Sequence, residues 1–216
     1  ENKADFGVRL KKAYDGRLKI YLGIEYDIDS VHGPEGFAYT IASVHCLKRN
    51  GVCFDFDRKL EQTRELIDQY FDGDGMAFAK CYYERVSQIP QYGSFDVLGH
   101  FDLVAKNNEQ GNFFDTQSAQ YLQYAVDTIH ALQGKIPLFE VNTGCIARGY
   151  RSTAYPQMAL LKEFYQCGFG AVISSDCHHK DFLDYGFEDA KQMLKTVGYR
   201  GMYVLTDEGF REVPIV

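Results

Sequence analysis

Asp176, Cys177, His178, His179 and Lys180 stand in a row after the small, apolar run GAVISS at 170–175. Asp, Cys and His can each bind a metal or move a proton. Three other short apolar runs end the same way. Glu25 follows KIYLGI, His45 follows YTIASV and His100 follows FDVLG. Imidazoles and carboxylates gathered at one place suit Zn²⁺, Mn²⁺ or Fe²⁺ and leave room for more than one ion. A lone histidine at a strand end is more often a solvated or hydrogen-bonded one. Four coincident ends outweigh the separate explanations: Glu25 as a surface carboxylate, His45 bonded to a carbonyl, His100 held by Asp102 in the GHFD turn, Asp176 capping a helix at 181–185, and His178 merely exposed. His179 directly follows His178 and points elsewhere. His32, in the loop HGPEG, and His130, inside an amphipathic stretch, read as structural or surface residues. Cys177 lacks a CxxxxxR loop and reads as a small, buried side chain. No GxSxG, P-loop or GxGxxG occurs.

These residues need elements to position them. Strands are predicted at 19–24, 39–44, 95–99, 136–141, 170–175 and 201–205. Helices are predicted at 57–70, 116–133 with Asp115 as N-cap, 156–167 closed by Gly168, and 187–196. Strand–helix alternation implies a parallel sheet covered by helices, open or closed. In either form the site lies at the carboxyl ends of the strands, so the four strand ends converge on one rim.

The 216 residues, with 45% hydrophobic side chains, suffice for one core, and no linker or repeat divides them, so 1–216 reads as a single domain. The net charge of -7 argues against a nucleic-acid partner. No apolar run reaches membrane-span length. Six cysteines without a CxxC pair fit reduced thiols in a cytoplasm.

The segments LGIEYDID, IASVHCL, FDVLGHFDLVAK, FEVNTGCIARGY and SSDCHHKDFLDYGFEDA, in that order, resemble the PHP (polymerase and histidinol phosphatase) family, in its histidinol-phosphatase branch. The resemblance implies an α/β fold, a distorted seven-stranded (β/α) barrel, with up to three divalent metals at its carboxyl rim. By it, Glu25 resembles a carboxylate bridging two metals, His45 and His100 ligands of the second metal, Asp176 a ligand of the first, and His178 a ligand of the third. Arg148 is similar to a position that contacts substrate phosphate, and the RGYR run with Arg151 adds to an anion site there. The family's HxH motif at the end of its first strand does not occur in this sequence. The opening ENKADFGVRLKKAYDGRL resembles the helix before the family's second strand. The expectation is an amino-terminally truncated chain without that first strand, in which Glu25, His45 and His100 hold the second metal alone.

The reaction so implied is metal-dependent hydrolysis of a small-molecule phosphate ester, L-histidinol phosphate, with Arg148 and Asp176 as catalytic residues. Asp176 reads equally as ligand or as proton acceptor. Two rivals stay open: a PHP phosphoesterase acting on nucleotides or nucleic acid, and a non-catalytic remnant that binds metal weakly or not at all.

Overall fold

The computed structural model describes residues 3–31, 33 and 35–216. His32 lies outside the described residues. The chain runs through α1 (Lys3–Ala13), β1 (Gly23–Asp27), β2 (Tyr39–Ser43), β3 (Cys46–Arg49), β4 (Val52–Asp55), α2 (Leu60–Phe71), α3 (Gly75–Val86) and β5 (Val97–Leu98). It continues through α4 (Asn108–Gly111), α5 (Ala119–Leu132), β6 (Leu138–Asn142), α6 (Gly144–Ala147), α7 (Met158–Gln166), β7 (Gly170–Ser174), α8 (Phe187–Val197), β8 (Gly201–Thr206) and β9 (Gly209–Pro214).

The fold is α/β. Five strands form one parallel sheet in the order β1-β2-β5-β6-β7. Two predicted strands are corrected. The run at 201–205 is a strand, but it pairs antiparallel with β9 in a hairpin set beside β7. The first strand begins at Gly23 rather than at Lys19, because the preceding side chains turn to the β8–β9 corner. Lys19 pairs with Asp207, and the Tyr21 hydroxyl donates to the same carboxylate at 2.8 Å. The rings of Tyr39 on β2 and Phe210 on β9 also meet edge-on, with centroids 6.2 Å apart. The sheet therefore curls until its two sides touch through side chains. Gly23 is required where β1 meets β2, since a Cβ there would lie 2.2 Å from the Tyr39 ring.

The core follows from burial on both faces of the central strand. Every residue of β6, LFEVN, is buried, as expected for a parallel strand covered on both sides. α5 presents Tyr121, Ala125, Ile129 and Leu132 at helical spacing to that core. Its cap is Ser118, whose hydroxyl accepts the Tyr121 N–H. The expected cap, Asp115, instead accepts the Gln117 N–H at 2.8 Å and closes the turn ahead of the helix. On α7, Phe164 stacks on Phe139 of β6 at 4.3 Å and meets Phe101 edge-on at 5.0 Å. Phe101 of this aromatic block directly follows His100 in the chain. α7 ends where Gly168 takes a positive φ of 77°, as predicted.

Candidate metal centre

β1, β2 and β5 lie side by side, and their carboxyl ends bring together one residue each. Glu25 sits inside β1 rather than after it. His45 and His100 follow β2 and β5. His100 Nε2 is 2.9 Å from Glu25 Oε1, His45 Nε2 is 3.3 Å from the same oxygen, and the two Nε2 atoms are 3.2 Å apart. Ligand atoms of a tetrahedral ion bound at about 2.0–2.1 Å stand about 3.3 Å from one another. One carboxylate oxygen and two imidazole nitrogens therefore already mark a face of such a coordination shell, and their donor types fit a divalent transition metal.

The backbone is shaped to hold them there. A Cβ on Gly99 would come within 2.4 Å of Ser43 Oγ, so only glycine lets the chain pass close to β2 before His100. The His100 N–H donates to Glu140 Oε1 at 2.7 Å, and Asn142 donates to the same oxygen at 2.8 Å. Glu140 is buried on β6, and that burial raises its pKa. Asp27 accepts both the backbone N–H of His45 at 2.8 Å and a contact from its Nδ1 at 3.1 Å. Nδ1 is thus occupied by a carboxylate, and Nε2 faces Glu25 and His100. This is the arrangement that fixes the tautomer of a metal-binding imidazole.

The charges converge as the geometry does. Burial opposes ionisation of Glu25, yet hydrogen bonds from His100 and His45 hold its carboxyl well below the usual range. Burial also opposes a charge on His45, but Asp27 and Glu25 overcome it and push its pKa up to about 10. The cluster favours positive charge between its members, as protons or as a metal ion.

Asp176, His178 and Arg148 form a second group on the same cavity, which has a volume of about 280 Å³ and is also bounded by Lys106, Tyr150 and Tyr155. Arg148 caps the short α6 and reaches across to the end of β7. It donates to Asp176 Oδ2 at 2.8 Å and to the Asp176 carbonyl at 2.8 Å, and it lies 3.0 Å from His178 Nδ1. Asp176 takes a positive φ of 44°, a conformation that aspartate tolerates better than most residues. The structure thus brings all five expected ligands and Arg148 to one cavity. Glu25, His45 and His100 lie within ligand distance of each other, while Asp176 and His178 are gathered around the guanidinium.

The remaining sequence readings resolve individually. Asp102 does not hold His100. Its carboxylate is fully buried, where it accepts from Arg151 at 3.1 Å and from the Gln157 N–H at 3.2 Å. Arg151 is buried with it and is not among the residues lining the cavity, which corrects its expected part in an anion site. His179, not Asp176, caps the following turn by accepting the Asp181 N–H. His130 pairs with Glu163 at 2.6 Å. Cys177 is half-buried, with its thiol 2.8 Å from the His179 carbonyl. Asp27, Glu140, Lys106 and Tyr155 were not anticipated. For Asp27 a signal existed: in GIEYD, residues two apart share a strand face, so Asp27 points the same way as Glu25.

A curled, parallel α/β sheet with an imidazole–carboxylate triad on its carboxyl rim defines the class: an α/β protein with a candidate divalent-metal centre. The relatives narrow it. No family model matches the chain. The chain is 27% identical over 202 residues to a probable histidinol-phosphatase of Deinococcus radiodurans, with 88% of this chain and 70% of that protein covered. It is 25% identical over 210 residues to a probable histidinol-phosphatase of Schizosaccharomyces pombe, covering 91% of this chain and 66% of that one. It is 26% identical over 197 residues to the histidinol-phosphatase of Bacillus subtilis, covering 83% and 70%. The fold matches a crystal structure of histidinol phosphate phosphatase from Lactococcus lactis in complex with zinc, L-histidinol and phosphate. The TM-score is 0.62 at 17% identity, with 96% of this chain and 78% of that chain covered. Over most of its length the chain is thus similar to histidinol-phosphatases, at 25–27% identity.

Proposed function

We propose that this protein is a metal-dependent phosphoric monoester hydrolase acting on L-histidinol phosphate. The observation that carries the reading is the triad Glu25, His45 and His100, drawn from three adjacent strands to tetrahedral spacing in a chain whose curated relatives are histidinol-phosphatases.

Glu25, His45 and His100 would hold a divalent ion, and Asp176 and His178, across the same cavity, are placed to add ligands for others. A bound ion of this kind supplies a water of lowered pKa and neutralises phosphoryl charge. The rest falls to side chains of this chain. Arg148 presents a planar fork of donors at the cavity, now satisfied by Asp176, and a phosphate would take over those hydrogen bonds in the same geometry. Asp176, released from that pair, is the carboxylate positioned to accept a proton on this side of the cavity. Asp27 keeps His45 in the tautomer that leaves Nε2 free. Tyr150, with the Lys106 ammonium 4.4 Å from its ring centre, and the buried Tyr155 bound the cavity beside these groups.

Phosphate release from a panel of esters tests the reading: L-histidinol phosphate, nucleoside monophosphates and an oligonucleotide, each with Zn²⁺, Mn²⁺ or Fe²⁺. L-Histidinol phosphate should be the preferred substrate. Preference for a nucleotide would move the protein to another PHP activity, and no release with any metal would leave a binding protein.

A further inference from the structure

A second cluster of metal-type donors stands away from the rim. α5 and α7 connect parallel neighbours, so both helices run opposite to the strands and end at the amino-terminal side of the sheet. His130 lies in the last turn of α5. Glu163 and Cys167 lie one helical turn apart at the end of α7, on one face. Their side chains converge. His130 Nε2 is 2.6 Å from Glu163 Oε1, and Cys167 Sγ is 3.6 Å from that same oxygen. All three donor atoms lie within 4.8 Å of one another.

We infer that His130, Glu163 and Cys167 form a second divalent-metal site, of zinc type, that clamps the ends of α5 and α7 together. Three observations support it. The donors are one imidazole, one carboxylate and one thiol, a set that selects borderline-soft ions such as Zn²⁺ over Mg²⁺ or Ca²⁺. The thiol–carboxylate spacing suits such an ion: a thiolate and a carboxylate on one tetrahedral zinc stand about 3.6 Å apart, which is the distance found. The imidazole and carboxylate would need to part by about 0.7 Å to reach tetrahedral spacing. The His130 side chain, 54% exposed, can make that movement without disturbing the core. The scaffold is also fixed, because Gln133, just past α5, donates to the Cys167 carbonyl at 2.9 Å. Without a metal, burial and the Glu163 carboxylate push the Cys167 thiol up. Uptake of the ion therefore releases the thiol proton, and affinity falls as pH falls. The fourth position is open to water.

Co²⁺ titration of the purified protein tests this, with Co²⁺ as the coloured substitute for Zn²⁺. A cobalt–thiolate charge-transfer band should grow to saturation and be bleached by Zn²⁺. It should vanish in Cys167→Ser, at a partly buried position, and fall sharply in His130→Ala, at an exposed one, both checked for native circular dichroism. It should survive in Cys177→Ser, which removes the thiol nearest the rim. Absence of the band in the unmodified protein, or its persistence in Cys167→Ser or His130→Ala, would overturn the assignment and leave an ordinary His130–Glu163 ion pair. The readout does not involve hydrolysis, so it stands or falls apart from the phosphatase reading.

Discussion

Asp27 Oδ2 lies 3.1 Å from Nδ1 of His45 and 2.8 Å from its backbone nitrogen, so one carboxylate fixes both the position and the orientation of the imidazole. The consequence is measurable. Asp27→Asn keeps the shape but weakens the pull on the ring proton. Metal affinity at the rim should fall by roughly 10- to 100-fold, the usual cost of losing such a partner. Competition against a fluorescent chelator reads it. Unchanged affinity would mean that His45 is not a ligand or does not need Asp27.

Among the described residues, the Arg148 guanidinium bonds to groups at the cavity, Asp176 and His178. Arg148→Ala should therefore lower kcat/KM for phosphate esters by roughly one to three orders of magnitude, the loss of a charge-assisted contact to phosphate. Metal affinity of the Glu25, His45 and His100 cluster should stay within a few fold of the parent. Arg148→Lys should recover only part of the activity, because a point charge lacks the fork. Full activity in the alanine variant would return Arg148 to the role of a loop cation.

Asp102 and Arg151 form a buried ion pair, 0% and 7% exposed. Arg151→Met removes the partner and leaves a carboxylate in the interior. The expected loss of stability is about 3–5 kcal/mol, read by denaturant unfolding. Replacing both, as Asp102→Leu with Arg151→Met, should cost less than the single change. A single variant as stable as the parent would show that water reaches Asp102.

Phe139 stacks on Phe164 beneath the rim and is fully buried. Phe139→Ala should cost about 3–5 kcal/mol through lost burial and the cavity left behind. Tyr165, on the same helix as Phe164 but 43% exposed, should tolerate alanine with a change within about 1 kcal/mol. Similar losses in the two variants would place the core elsewhere.

The strand ends were legible because a parallel sheet forces them to one rim, so Glu25, His45, His100, Asp176 and His178 could be named from order and residue type alone, whereas Arg148 rested on the family resemblance. Their partition could not. Whether Asp176 faces the imidazoles or a guanidinium depends on how far two loops lean across a cavity, and no spacing in the sequence encodes that. The turn LKRNGV carried a readable sign, since Asn50 and Gly51 both take positive φ and make the hairpin of β3 and β4. The hydrophobic pattern around that pair is weak, so alternation alone does not mark the two strands. α3, GMAFAKCYYERV, escaped because its aromatic residues blur the helical period, although Asp74 caps it by accepting the Ala77 N–H at 2.9 Å. β5 shrank to two residues because Asp96 takes the Thr40 N–H with its side chain in place of a ladder bond.

The central claim is that metal held by Glu25, His45 and His100 drives hydrolysis. The most direct test is the rate of phosphate release from L-histidinol phosphate by chelator-stripped protein as Mn²⁺ or Zn²⁺ is added back. The parent should rise from background to a saturating rate, and His100→Ala should stay near background at the same metal concentrations. A stripped protein as fast as the loaded one, or a His100→Ala variant that recovers fully, would contradict the account.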